Sequence, residues 1–282
     1  MSRVLLAAAA LLLLVRPALA IDKQGSAHGG DLGGDTTGFG LSGALMAGVS
    51  LYNPTYGARP DNTGLALMRY AAHADVDLIG RRLSIPLDVN MFSDKTLEGV
   101  EKLKPTELDL IGGLTSTWGL GPGAVEVGAR FEHDRPIGGG AAQSYVDARA
   151  RYLYSVAAIA PALRSALRDG DVSGWLTLGW FVYNPTYYAR PDNTGKALLR
   201  YGVHLEVSGL GDHLALGLDA NLFTDRHANP VRPSELDFTP ELILRHGDFE
   251  LHVAYERDMP VDRGGLVQQF VYLLGAWSFT VL

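Results

Sequence analysis

The chain has 282 residues, 47% of them hydrophobic and 20% charged, with a formal net charge of −7 and a pI near 5.6. The acidic balance argues against nucleic-acid binding, and with no cysteine anywhere neither a disulfide framework nor a lipoprotein anchor is available. No stretch approaches the roughly 18 consecutive apolar residues of a membrane helix.

Residues 1–20 read as a secretory signal peptide. Arg3 supplies the positive start, Val4 to Val15 the apolar stretch, and Ala18-Leu19-Ala20 a small-residue cleavage site. Residues 21–37 are rich in Gly, Asp and Ser and are expected to be a flexible periplasmic lead-in. From there the chain repeats itself. The segment Tyr52 to Gly64 returns from Tyr183 to Gly195 with one difference, Gly57 against Tyr188. Asn90-Met91-Phe92-Ser93-Asp94 then pairs with Asn221-Leu222-Phe223-Thr224-Asp225, and Pro105-Thr106-Glu107-Leu108-Asp109 with Pro233-Ser234-Glu235-Leu236-Asp237. Two units are expected, 38–160 and 172–282, joined by a turn over 161–171.

Each unit carries six segments that alternate with period two, predicting strands at about 41–54, 65–78, 83–94, 106–119, 124–134 and 143–159, then 172–185, 197–208, 213–224, 234–245, 248–258 and 267–281. The clearest sets Leu83, Ile85, Leu87, Val89 and Met91 against Ser84, Pro86, Asp88, Asn90, Phe92 and Asp94. In a soluble sandwich the apolar face is the core; in a membrane barrel it meets lipid and the charged face lines the interior. Links after even-numbered strands are mostly short and those after odd-numbered strands long, which favours the barrel. The link between the units is the exception, and Ala162 to Arg168 within it suits a helical turn.

Signal peptide, even strand count, dyad alternation and loop asymmetry together make the chain resemble bacterial outer-membrane β-barrels as a class. Tyr154, Trp180, Tyr201, Tyr255, Trp277 and Phe279 suit the aromatic girdles of such proteins. The ending Val281-Leu282 departs from the terminal aromatic residue common in that class. The resemblance implies an all-β, twelve-stranded antiparallel transmembrane barrel in the outer membrane, with lipid and, during biogenesis, the barrel-assembly machinery as partners.

The predicted lumen holds Arg69/Arg200, Asp88/Asp219, Asn90/Asn221, Glu107/Glu235, Asp109/Asp237, Glu126/Glu250 and Glu132/Glu256 in matched pairs, with Asp75, Asp77, Arg130, Asp147, Arg149, Arg151 and Glu206 unmatched. Carboxylates outnumber guanidinium groups, so the expected path favours cations or small polar solutes. The bland reading is that these charges brace and wet the wall. The repeated hairpins place Arg59/Arg190 and Asp61/Asp192 at the outer rim, near Asp94 and Asp225, either as rigid turns or as part of a rim site. Catalysis is the weakest reading. His133 beside Asp134 and the pair His73/His204 are candidates, but no Gly-x-Ser-x-Gly elbow or His-Glu-x-x-His motif is present. No cofactor or metal site is predicted. The function expected is therefore a narrow porin-like channel, with a closed structural or surface-interaction barrel, or a lipid-modifying hydrolase, as alternatives.

Overall fold

The computed structural model describes residues 38–52, 66–79, 82–94, 99–137, 139, 142–160, 170–183, 197–211, 213–225, 229–261 and 267–281. Their strands are β1 (Gly40–Tyr52), β2 (Ala66–Asp77), β3 (Ser84–Asp94), β4 (Pro105–Leu120), β5 (Gly123–Pro136), β6 (Gln143–Ser155), β7 (Val172–Tyr183), β8 (Ala197–Val207), β9 (Leu214–Asp225), β10 (Asn229–His246), β11 (Phe249–Pro260) and β12 (Gln268–Thr280). Each pairs antiparallel with its neighbours in sequence, and β1 closes on β12 from Ser42↔Thr280 to Tyr52↔Val271. The result is a closed twelve-stranded barrel. Closure removes sheet edges, so every strand's backbone groups are paired within the ring.

The predicted strands agree with these bounds to within a few residues at most ends. Two differ for physical reasons. β6 stops at Ser155, where Val156–Ile159 turn into a short helix, α1, in place of the last strand residues expected. β10 begins earlier, at Asn229, but its register shifts between Asn229 and Pro233 and again between Pro233 and Glu235. A proline without an N–H fits such bulged positions at a strand end. A 3-10 turn, Gly99–Leu103, precedes β4.

Alternation decides the two faces. Leu87, Val89 and Met91 on β3, Leu176, Leu178 and Trp180 on β7, and Leu242 and Leu244 on β10 are all exposed on the outside of the ring. Leu178 is 53% exposed, whereas Glu107 and Glu235 on the inside are 2% and 1% exposed. A sandwich would reverse this assignment. An apolar exterior around a charged interior is the membrane-barrel arrangement. Outward aromatic groups near the strand ends include Trp118, Phe249, Trp277 and Phe279 at one end and Trp180 toward the other.

Backbone geometry supports the ring locally. The β4–β5 and β10–β11 hairpins have two-residue turns opening on Gly121 and Gly247, at φ 60° and 58°, a region glycine enters without steric cost. Gly43 on β1 and Gly174 on β7 sit against the carbonyls of His73 and His204, where a Cβ would lie 2.3 and 2.0 Å from the oxygen. Only glycine allows that approach.

Candidate functional site

Every predicted lumen residue lies on the inner face of its strand, and the strand pairings show which of them meet. Arg69 on β2 donates from Nε and Nη2 to Asn90 Oδ1 at 3.0 and 2.7 Å, and stands over the Phe92 ring. Arg200 on β8 repeats this, with Nε donating to Asn221 Oδ1 at 2.8 Å over Phe223. Asp88 lies 2.8 Å from His73 Nδ1, and Asp219 3.0 Å from His204 Nδ1. Met68 N–H donates to Ser93 Oγ as Leu199 N–H does to Thr224 Oγ1. The likeness of the two halves in sequence is thus accompanied by like contacts.

The other carboxylates gather toward the strand ends that carry the long links. Asp109 on β4 faces Asp134 on β5, with Glu107 and Glu132 one inward position away on their strands. Asp237 on β10 faces Asp258 on β11, with Glu235 and Glu256 placed likewise. Glu107, Asp109, Asp134, Glu235 and Asp258 are all buried. Asp94 and Asp225 end β3 and β9 opposite Ala66 and Ala197. Arg59, Asp61, Arg190 and Asp192 lie outside the described residues, as do the expected lead-in and the 162–168 turn.

Departures from the matched scheme are concentrated on the side chains nearer the short turns. His73 also bridges to Asp75 through Nε2 at 2.8 Å. Glu206, in the corresponding place beside His204, is instead held by Arg245 at 2.8 and 2.9 Å. Arg245 also reaches Glu250 at 2.7 Å, and Glu250 lies 3.0 Å from the buried His252, whose other nitrogen lies 3.0 Å from Glu241. On the adjacent strands β6 to β8, Trp175 stacks on His204 with centroids 3.8 Å apart, and the Arg151 guanidinium stands 5.3 Å from the Trp175 ring. Glu126 serves Arg151 at 3.4 Å. Arg130 pairs with Asp147 at 3.0 Å and Glu132 at 3.4 Å. These ion pairs brace the inner wall.

Elsewhere the inner wall keeps partly exposed groups. Asp88 and Asp219 point inward, yet their side chains remain 28% and 37% exposed. A twelve-stranded ring is wider than the eight-stranded kind that side chains fill, and these carboxylates border the space left over.

His133 faces outward, stacked along Phe131 and 2.8 Å from Ser144 Oγ, whereas Asp134 faces the lumen. Sequence adjacency does not make them a catalytic pair. Arg245, His252 and Trp175 were missed by sequence reasoning. Trp175 lies in a segment with large apolar residues on both faces, so period two does not assign its side.

No family model matches the chain, and no curated protein does. Among solved structures, an outer membrane channel from Pseudomonas putida F1 is similar at 11% identity and a TM-score of 0.42, over 88% of this chain and 99% of that one. Pseudomonas putida OprB gives 9% and 0.34, over 79% of this chain and 61% of its own. CdiB from Acinetobacter baumannii gives 12% and 0.37, over 85% and 59%. These are distant likenesses of barrel architecture, and they carry no function to this chain.

Proposed function

We propose that the protein is a bacterial outer-membrane barrel that passes small polar or cationic solutes through a narrow lumen. The observation that carries this reading is the exposure of Asp219, a carboxylate on the inner wall that is nonetheless 37% open. Water that reaches it occupies the interior, and a wall richer in Asp and Glu than in Arg favours cations by its sign. Export through the outer membrane's assembly route accords with the barrel's apolar belt and with the amino-terminal sequence.

Planar-bilayer recording of the purified protein tests it. Resolved conductance steps with a reversal potential favouring potassium over chloride are expected; electrical silence would overturn the channel. Silence is the outcome of the second reading, a closed barrel that presents its outer loops to a partner. That reading draws on the inner wall, where Arg151, Trp175, His204 and His252 are each buried. A lipid hydrolase has less support, because His133 and Asp134 face opposite sides of β5.

A further inference from the structure

The two arginines repeated between the halves are not equivalent in their surroundings. Gly179 on β7 lies between Arg149 on β6 and Arg200 on β8 in one cross-strand row, all three facing the lumen. With neighbouring strands about 4.8 Å apart, the two arginine Cα atoms are separated by roughly 10 Å, so their side chains can converge over the glycine. In the other half the corresponding row is Leu274, Gly48 and Arg69. There a Cβ on Gly48 would meet Leu274 Cδ1 at 2.8 Å, so leucine fills the space. Over Gly179 the nearest atom to such a Cβ is Arg200 Cβ, at an ordinary 3.5 Å. No leucine crowds this position as Leu274 crowds Gly48.

The groups around this position have hydrogen-bonding capacity to spare. Among the described residues Arg200 donates only its Nε–H, to a neutral asparagine, and no carboxylate lies within 4.0 Å of it. Among the described residues the Arg149 guanidinium comes no nearer a carboxylate than 3.8 Å, from Glu126, which is beyond hydrogen-bonding distance. Of the other inner-wall arginines, Arg130 and Arg245 are held in close ion pairs. Asp219, within electrostatic reach of Arg200, uses Oδ1 toward His204, and its side chain stays 37% exposed. Unused guanidinium N–H groups bind a carboxylate well, and an exposed carboxylate a short distance away takes an ammonium. Glu126, Asp147 and Asp219 nearby oppose a doubly charged anion such as phosphate.

From this juxtaposition we infer that the Arg149–Gly179–Arg200 row and Asp219 form a docking site for small zwitterions of the α-amino-acid type. The solute's carboxylate lies on the two guanidinium groups above Gly179, and its ammonium faces Asp219. The inference rests on the proposed water-accessible lumen, and it narrows the solute class that lumen would accept.

Binding is read without any conductance, by saturation-transfer NMR on the full chain folded in detergent, with L-alanine, propionate and ethylammonium as probes. L-alanine is expected to bind at least fivefold more tightly than either half-probe. Arg149→Gln, Arg200→Gln and Asp219→Asn should each weaken it tenfold or more. Gly179→Leu should do the same with no change in charge, while Leu178→Ala on the outer face leaves binding intact. Heat-modifiable gel migration confirms that each variant is folded. Absence of L-alanine binding by the native chain, equal binding of propionate, or undiminished binding by folded Gly179→Leu would overturn the site. A barrel that binds alanine but carries no current would refute the channel and keep the site; one that conducts but does not bind would do the reverse.

Discussion

At the scale of single residues, what matters is whether a charge has a partner. Arg245 holds two carboxylates, Glu206 and Glu250, and is itself 28% exposed. Replacing it with alanine leaves both acids without their cation. Breaking a fully buried pair costs about 3–5 kcal/mol, and partial exposure of Arg245 reduces the expected loss to about 2 kcal/mol. A urea titration of the refolded barrel should show that drop in the Arg245→Ala variant. Asp88 and Asp219 act differently, because they border open space. Their joint substitution by asparagine should cut the potassium-to-chloride permeability ratio severalfold with stability little changed; an unaltered reversal potential would remove them from the conducting path. The apolar and polar faces of the strands were legible in the sequence, since aliphatic side chains assigned outward, such as Leu87, Val89 and Met91, lie on the outside of the ring. The pairings within the lumen were not. Whether Glu206 serves His204 or Arg245 depends on which side chains two neighbouring strands bring to one height, and a one-dimensional pattern carries no such information. The contrast between Arg149 and Leu274 beside matched glycines was hidden for the same reason.

At the scale of elements, the strands were legible because the sheet imposes a period of two wherever one face is apolar. Legibility fell off where that constraint lapses, at the bulged start of β10 and at the α1 turn after β6. Two element-level predictions follow from the outer face of β7. Leu178→Arg puts a charge into the exposed apolar belt and should cost about 2–4 kcal/mol near the bilayer midplane, measured by folding into lipid vesicles. Gly174→Val forces a side chain against the His204 carbonyl, where even a Cβ would sit 2.0 Å away. The β7–β8 pairing must then open, and amide exchange in β8 should rise well above that in β4. Protection equal to the native chain's would show that the close approach is not needed.

For the whole molecule, a closed ring with aliphatic side chains outside and acids and arginines inside solves two problems at once. It leaves no strand edge to aggregate, and it sets charged groups where water and one another can satisfy them. The duplication proposed from the sequence gives two similar sets of Arg–Asn–Phe and His–Asp contacts, and the differences between the halves, Arg149 against Leu274 above all, make the lumen one-sided. Because the chain has no native cysteine, single cysteines can report on each face cleanly. The direct test is spin labelling at Leu87, Leu178 and Leu242 on the outside and at Asp88, Thr177 and Thr239 on the inside of the vesicle-reconstituted protein. Oxygen, which concentrates in hydrocarbon, should relax the first set, and a water-soluble nickel chelate the second. A protein that stays soluble without detergent, or outer labels relaxed by the nickel chelate alone, would contradict the account.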